Sequence, residues 1–576
     1  MELIEEGKAW FSIEAALETT VCVLLESASP FMPLNRNAGS SPAIVARSAA
    51  GRRSARLPPA PRIFSACLAP GARRRGLAGA LGVCLALAAG HAALAAPAVV
   101  KIDDGLLRGV VSHGVASFKG VPFAAPPVGD LRWRAPQPPP SWRGVRDASR
   151  YGPECMQMSD QPLPAGVRES EDCLTINVLT PAHRRADAKL PVMVWIYGGG
   201  LTEGSASDVD GTRFAQDGVV LVTFNYRLGR LGFFAHPALA RTNPEGALSD
   251  YGFADQIAAL KWVKRNIAAF GGDPARVTIF GESAGATSVN YLLVSPEARG
   301  LFAGAIAESG FGRQPGRPLV DAQAVGAAFI SSLGVSGDDA AAARAMRALP
   351  AKALMTPVQG LVNAAAGAIV DGVVAPESPA EGFAKGNQAR VPYIAGGDSF
   401  EASLLPDYVA KPEMLLDSLG KARDQAVTRL GDGDPTKAAE TLFTLGGDIE
   451  PDRYLARQDA IRGIPAYNYY FAYVPKAERR TSKGVSHGDE IAYVFDTLPK
   501  TATAADEAVA RVVHAYWVAF ARTGRPDSAG GRFWPKAEPN DAVMVFGDGG
   551  AQAVANFEKA QLDLVASYRY ARPPRD

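Results

Sequence analysis

Short apolar runs alternate with longer amphipathic stretches along most of the chain. Residues 191–197, 219–226 and 277–280 are short apolar runs that predict buried strands. Between the second and third runs, apolar residues recur at helical spacing over 251–270, and the two glycines that follow predict the helix end. Strands that alternate with helices are typical of a mostly parallel sheet flanked by helices, so the pattern predicts the α/β class.

The same pattern continues toward the C-terminus without a visible domain boundary. Residues 284–293 have a helical pattern, 391–395 predict a further strand, and 315–390 and 402–470 are mostly helical. The sequence has no internal repeat, long linker or shift in composition after the first 95 residues. We therefore interpret 96–576 as a single domain with helical insertions.

The first 95 residues have a different pattern. Residues 77–90 form an uncharged apolar run, which three arginines at 73–75 precede and small residues around Ala95 follow. This arrangement predicts a secretory signal peptide that is cleaved near Ala95. The run of about 14 residues is shorter than the roughly 20 that span a bilayer, so we expect no stable membrane anchor. The alternative is a buried core helix, but no amphipathic period is visible.

A signal peptide normally begins close to its basic stretch, whereas here about 70 residues come first. They are rich in Ala, Arg, Pro and Ser, and only 9–25 could form a short helix. We interpret 1–70 either as the product of a start site assigned too far upstream or as a genuine, disordered extension.

Composition and cysteine content narrow the classes of function. The 576 residues are 47% hydrophobic and 21% charged with a net charge of +1, which argues against a nucleic-acid-binding protein. Cys155 and Cys173 are the only cysteines after the leader, and their spacing in an exported protein suggests a disulfide. No Cys-x-x-Cys motif or Cys/His cluster occurs, so we expect neither a metal nor a cofactor.

A motif with catalytic potential lies between a predicted strand and a predicted helix. Residues 281–285 read Gly-Glu-Ser-Ala-Gly and match G-x-S-x-G. In this context the motif predicts a sharp turn that lifts the hydroxyl of Ser283 clear of the sheet as a nucleophile, on the α/β-hydrolase fold. The alternative is an ordinary glycine-rich turn.

A serine nucleophile needs a histidine base and an acid, which follow it in the order serine, acid, histidine on this fold. Four histidines precede the serine: His91, His113, His183 and His236. Of the other two, His487 lies in a loop of small residues and is favoured as the base, whereas the apolar, helix-like surroundings of His514 indicate a structural role. The acid should follow the strand at 391–395, where Asp398 and Glu401 are both candidates.

The attack of a serine on an ester creates an oxyanion that backbone N–H groups must stabilise. Three glycines at 198–200 directly follow the predicted strand at 191–197. Glycine allows the backbone to approach an oxygen closely, so this loop and the N–H of Ala284 predict an oxyanion hole. A flexible loop without this role is the alternative.

Six sequence motifs can be recognised, and the region that they mark covers most of the chain, from about Val100 to Pro535. They are residues 118–123, 171–178, 198–200, 225–227, 281–286 and 487–490. With these motifs the sequence resembles the type-B carboxylesterase family, which includes bacterial para-nitrobenzyl esterases and the cholinesterases. The chain departs from the family at Leu201, where many members have Phe, and at Ala402, where Gly is common.

The resemblance implies a role for individual residues. It implies the triad Ser283, Glu401 and His487. It implies an oxyanion hole formed by Gly199, Gly200 and Ala284, and a second serine, Ser309, behind the triad acid. It also implies a disulfide between Cys155 and Cys173.

The expected function is hydrolysis of small to medium carboxylic esters through an acyl-enzyme, with a small-molecule ester as the partner and no nucleic acid. A non-catalytic binding protein of the same fold is one alternative, although such relatives usually lose the serine. A lipase is the other, although the sequence shows no apolar lid. Leu201 leaves the size of the substrate open.

The leader sequence predicts export. N-terminal sequencing of protein purified from its natural host should find a mature chain that starts at Ala96 or Pro97, because signal peptidases cut after small residues. Recovery of the intact leader on cytoplasmic protein would contradict export.

Overall fold

The computed structural model describes residues 96–569, except 159–162, 164–165, 186, 244–247, 357–366, 410 and 528–530. The predicted signal peptide at 77–90 and the helix considered at 9–25 lie outside these residues.

The described residues contain seventeen strands. They are β1 Ala96–Ile102, β2 Gly105–Ser112, β3 Val115–Pro122, β4 Val145–Asp147, β5 Glu154–Cys155, β6 Glu169–Ser170, β7 Thr175–Pro181, β8 Leu190–Ile196, β9 Val220–Phe224, β10 Gly272–Glu282, β11 Gly304–Glu308, β12 Arg317–Pro318, β13 Ile369–Val370, β14 Tyr393–Asp398, β15 Ala466–Phe471, β16 Val543–Gly547 and β17 Gly550–Val554.

Thirteen of these strands form one sheet. Its order is β1-β2-β3-β7-β9-β8-β10-β11-β14-β15-β16-β17, and β4 pairs with β2. The neighbours from β9 to β16 are all parallel, whereas the pairs on both flanks along this order are antiparallel. The α/β-hydrolase fold with a mostly parallel central sheet is therefore confirmed.

The described helices are α1 Thr212–Gln216, α2 Gly229–Gly232, α3 Pro237–Thr242, α4 Tyr251–Asn266, α5 Ala284–Val294, α6 Leu319–Ser332, α7 Ala340–Ala348, α8 Ala351–Met355, α9 Pro379–Lys385, α10 Leu405–Tyr408, α11 Glu413–Asp417, α12 Arg423–Gly431, α13 Pro435–Thr444, α14 Glu450–Ile461, α15 Ile491–Val494, α16 Ala504–Thr523 and α17 Lys559–Arg569. Short 3₁₀ helices occupy Gly129–Leu131, Ile267–Phe270, Pro296–Ala298, Glu401–Leu404 and Gly420–Ala422, and Leu445–Ile449 is a π-helix. Helices thus occupy most of 402–470, as predicted, but only about half of the described residues in 315–390.

The strands at the centre of the sheet are buried on both faces, which explains why their sequences are continuous apolar runs. Every residue of β9 is buried, and in β8 only Leu190 is partly exposed. Strands that are covered on both faces cannot alternate polar and apolar positions, so the signal is a run of apolar residues instead. The runs at 191–197, 219–226 and 277–280 correspond to β8, β9 and the end of β10, as predicted.

The long helix α4 and its end also follow the sequence. Helix α4 continues into the 3₁₀ turn Ile267–Phe270, and Gly271 adopts a left-handed conformation with φ 83°. A residue without Cβ takes this conformation at least cost, so the glycine ends the helix as predicted.

Cys155 and Cys173 are joined by a disulfide, as predicted from their isolation in the sequence. The bridge anchors the segment that continues to Met158, whose N–H donates to the carbonyl of Thr202 at 2.9 Å. Gly204 N–H also donates to Oε1 of Gln157 at 3.0 Å. The disulfide therefore holds a segment that hydrogen-bonds the loop after the three glycines. Within the described residues, no helix is both long and apolar enough to cross a bilayer.

Candidate active site

Ser283 occupies a sharp turn between β10 and α5. Its backbone has φ 58° and ψ −125°, an unusual conformation for a residue with a side chain. The turn is held on both sides, because Ser283 N–H donates to the carbonyl of Glu308 at 2.8 Å and the Ser283 carbonyl accepts from Thr287 N–H at 2.8 Å. Conformations of this kind cluster at active sites, where the surrounding structure maintains them.

Steric constraints require glycine at both glycine positions of the motif. A Cβ on Gly281 would lie 2.4 Å from the carbonyl oxygen of Ile196, and a Cβ on Gly285 would lie 2.0 Å from the same oxygen. Both distances are far shorter than a van der Waals contact. The end of β8 therefore packs directly on the backbone of the turn, and only glycine fits at both positions.

The glycine loop 198–200 lies against the serine. A Cβ on Gly198 would lie 3.0 Å from Cβ of Ser283, and Gly199 and Gly200 have φ values of 87° and 61°. The next residue, Leu201, has φ 61° although it carries a side chain, and its carbonyl accepts from Gly229 N–H at 2.7 Å. The loop is thus fixed at the start of α5, where backbone N–H groups favour negative charge.

His487 and Glu401 are hydrogen-bonded, although 86 residues separate them in the chain. Nδ1 of His487 lies 2.5 Å from Oε2 of Glu401. The histidine side chain is 9% exposed and that of the glutamate is fully buried. The loop with the histidine is fixed independently of its ring, because His487 N–H donates to Oγ of Ser403 at 3.0 Å.

The other carboxylate oxygen of Glu401 has two donors. Oε1 accepts from Oγ of Ser309 at 2.6 Å and from the backbone N–H of Asp398 at 2.7 Å. The Asp398 side chain is oriented differently, since Oδ2 accepts from Gly488 N–H at 3.0 Å. Of the two predicted candidates for the acid, Glu401 contacts the imidazole and Asp398 contacts the loop beside it.

The second ring nitrogen of His487 faces the serine motif. Nε2 forms an ion-pair contact of 3.1 Å with Oε1 of Glu282, the residue before Ser283. Burial opposes protonation of the ring, but the carboxylates of Glu282 and Glu401 outweigh it and raise the pKa of His487 well above its ordinary value. Burial raises the pKa of Glu282 to about 8, although the nearby histidine lowers it.

The model of the carboxylesterase family matches residues 96–444 and 423–564. The chain belongs to the carboxylesterase family. Like its relatives it is a serine carboxylesterase, and it hydrolyses carboxylic esters.

Individual relatives of this carboxylesterase cover most of its length. It is 37% identical over 492 residues to fumonisin B1 esterase of Sphingopyxis macrogoltabida, a match that covers 79% of this chain and 89% of that protein. It is 35% identical over 521 residues to human cocaine esterase, with 82% of this chain and 92% of that protein covered. Among solved structures, a PNB esterase has a TM-score of 0.69 at 31% identity, with 81% of this chain and 99% of that chain covered.

His514 lies in α16, in agreement with its predicted structural role. Its Nδ1 lies 2.7 Å from the carbonyl oxygen of Val494, and Nε2 lies 3.1 Å from Oδ2 of Asp217. The side chain is 3% exposed. Both ring nitrogens thus have local partners that do not belong to the serine motif.

Three carboxyl groups near His487 were not singled out from the sequence. Glu282 is the first variable position of G-x-S-x-G, and Glu490 is the last residue of the motif at 487–490. Both therefore lie beside residues that the sequence had marked as candidates for the site. Asp448 had no such signal in its sequence neighbours. It lies in the π-helix Leu445–Ile449, a type of helix that is frequent at functional sites. Its Oδ1 accepts from Phe311 N–H at 2.8 Å. Within the described part of the chain, no group of three or more His, Cys, Asp or Glu residues could hold a metal ion.

The tight packing of the turn predicts the effect of one added methyl group. Gly285→Ala should lower the free energy of unfolding by about 3 kcal/mol or more and abolish most activity, because its Cβ would overlap the Ile196 carbonyl. Gly547→Ala is the control, because a Cβ there would lie 4.0 Å from its nearest neighbour. Chemical denaturation and ester hydrolysis should be measured for both variants. Equal effects at the two glycines would contradict the steric argument.

Proposed function

We propose that this carboxylesterase hydrolyses small to medium carboxylic esters through an acyl-enzyme, with Ser283 as nucleophile, His487 as base and Glu401 as the acid. The observation that carries the proposal is the hydrogen-bonded series Ser309, Glu401 and His487, in which Nε2 of the histidine faces the serine motif at Glu282. Two-step acyl transfer by this arrangement of groups needs no cofactor.

In the first step, the hydroxyl oxygen of Ser283 attacks the ester carbonyl while Nε2 of His487 takes its proton. The carbonyl oxygen becomes an oxyanion, which the N–H groups of Gly199, Gly200 and Ala284 stabilise. Collapse of this intermediate releases the alcohol, which receives the proton from His487. In the second step, water attacks the acyl-enzyme by the same route and the acid is released.

Glu401 acts on the imidazole. Its bond to Nδ1 fixes the tautomer that leaves Nε2 free to accept a proton, and its charge stabilises the imidazolium that forms during attack. The raised pKa of His487 reflects the same stabilisation by Glu282 and Glu401, although burial opposes it. Ser309 and the Asp398 N–H hold the carboxylate in one orientation, so it cannot turn away from the ring.

The names of the relatives refer to chemically different esters. They include fumonisin B1 esterase, cocaine esterase and a pyrethroid hydrolase. Leu201 follows the oxyanion loop directly and is 5% exposed, so it is one determinant of the space near the acyl group. A series of p-nitrophenyl esters of increasing acyl length would define the limit of this space.

The disulfide is consistent with an oxidising compartment, since such bonds rarely persist in the cytosol. We propose that the protein is exported with the help of the predicted signal peptide.

Replacement of the nucleophile tests the mechanism. Ser283→Ala should lower kcat by on the order of 10⁶-fold without loss of folding, because no other group can form the acyl-enzyme. A fluorophosphonate probe should label the wild-type protein at Ser283 and leave the variant unlabelled, as peptide mass spectrometry would detect. Full activity in a folded Ser283→Ala variant would refute the assignment.

A second pair of variants distinguishes the two candidates for the acid. Glu401→Gln should lower kcat roughly 10⁴-fold, because the amide cannot stabilise the imidazolium. Asp398→Asn is the matched control and should cost much less, because an amide oxygen can still accept from Gly488 N–H. Both variants should be assayed with one activated ester at neutral pH. If Asp398→Asn were the more damaging change in kcat, the role of Glu401 would be wrong.

A further inference from the structure

Two carboxyl side chains lie beside the proposed triad without belonging to it. Asp398 is the last residue of β14, and Glu490 follows His487 on the same loop. Asp398 is 0% exposed and Glu490 is 1% exposed. An isolated carboxylate is costly to bury, so each of these groups must find a partner or hold a proton.

Asp398 connects the acid to the loop that carries the histidine. Its N–H donates to Oε1 of Glu401 at 2.7 Å, and its Oδ2 accepts from Gly488 N–H at 3.0 Å. The two segments also meet directly, since Phe400 N–H donates to the carbonyl of Val485 at 2.8 Å. A change in the Asp398 side chain would therefore first affect Gly488, the residue next to His487.

Three oxygens of this pair have no ordinary donor. Oδ1 of Asp398 and both carboxylate oxygens of Glu490 are buried and form no hydrogen bond of ordinary geometry with an N–H or hydroxyl group of the described residues. The two carboxyl groups instead lie within hydrogen-bonding reach of each other. A bond between two carboxyl groups exists only while one of them holds a proton, because two carboxylates at this separation repel each other.

The surroundings favour retention of this proton. The titratable groups that face the pair are Glu401, His487, Asp489, Glu282, Glu308, Tyr469 and Tyr470. Of these only His487 can carry a positive charge. Burial, with the charges of Glu490 and Glu401, raises the pKa of Asp398 well above its ordinary value. Burial and Glu401 raise the pKa of Glu490 to about 7, although the bond from Asp398 lowers it.

We propose that Asp398 is protonated at neutral pH, donates this proton to Glu490, and with Gly488 acts as a positioning residue for His487. The inference rests on the proposed function, because it concerns the loop that carries the proposed base. With the proton in place, the pair carries at most one negative charge and Oδ2 stays available to Gly488. Without the proton, two adjacent buried charges would repel each other and displace the loop.

Two substitutions at Asp398 separate the proton from the shape of the side chain. In Asp398→Asn, the amide N–H donates to Glu490 and the amide oxygen accepts from Gly488, so the variant imitates the protonated acid at every pH. Asp398→Ala removes both bonds. We expect kcat at neutral pH to fall less than about tenfold in the first variant and roughly 100-fold in the second, since small displacements of catalytic groups have effects of this size.

The pH dependence of stability tests for the proton itself. The folded-state pKa of Asp398 is raised above its unfolded value of about 3.9, so its contribution to stability is complete below that pH and is lost as pH rises through the folded pKa. Asparagine does not titrate. The Tm of Asp398→Asn minus the Tm of the wild type should therefore increase from pH 5 to pH 9. Asp424→Asn, which removes a charge from a side chain that is 96% exposed, should show no such trend.

Infrared difference spectroscopy gives a second readout. The C=O stretch of a protonated carboxyl group should be present at pH 8 in the wild type and should lose intensity in Asp398→Asn but not in Asp424→Asn. A purely structural role of Asp398 would change neither the infrared band nor the slope of the Tm difference.

Each outcome bears on the proposal. A Tm difference that is constant with pH, together with an unchanged infrared band, would overturn the proton on Asp398. Equal kcat in Asp398→Ala and Asp398→Asn would overturn the positioning role, and if the alanine variant does not fold, the two readouts on the asparagine variant still decide. Full activity in Glu401→Gln would instead refute the proposed triad, while the Tm and infrared results would continue to report on the proton.

Discussion

The packing of backbone on backbone at the end of β8 is the constraint on which the rest of the site depends. The Ile196 carbonyl occupies the space that side chains at 281 and 285 would fill, so strand, turn and helix approach one another at the closest possible distance. This contact holds Ser283 in its unusual conformation at the start of α5. It also places the glycine loop, which continues from the same strand, against the serine. The proposed nucleophile and the proposed oxyanion hole thus share one support.

Several residues around this support have a strained backbone conformation. Ser283, Leu201, Ser309 and Phe311 all have positive φ values although they carry side chains. Such conformations cost of order 1–3 kcal/mol each and persist only where surrounding contacts determine them. Here the contacts come from the ends of the parallel strands, whose own packing in the sheet is independent of the site. The fold therefore stabilises a geometry that these segments would not adopt alone.

Electrostatics at the site follow from burial of several acids around one histidine. Glu401 has three hydrogen-bond partners, which are the Ser309 hydroxyl, the Asp398 N–H and Nδ1 of His487. Glu282 and Glu490 have no comparable set of donors, and burial raises the pKa of each toward neutrality. These carboxyl groups thus differ in their supply of hydrogen-bond donors, and the one with the most donors is the one that contacts Nδ1 of His487.

The strands that are buried on both faces, the helix after them, the serine turn and the isolated cysteine pair could be predicted from the sequence, because each depends on a local pattern or on residue type. The sequence also narrowed the acid to Asp398 and Glu401, and the resemblance to a family favoured the second. The folded structure was needed to show which carboxylate contacts Nδ1 of His487 and which binds Gly488, since the two candidates lie only three residues apart in the chain. The surroundings of Asp448 and the contact between Asp398 and Glu490 were equally invisible in the sequence. These contacts join residues from distant parts of the chain, and hydrogen-bond donors and burial, which control a pKa, exist only after the segments have packed together.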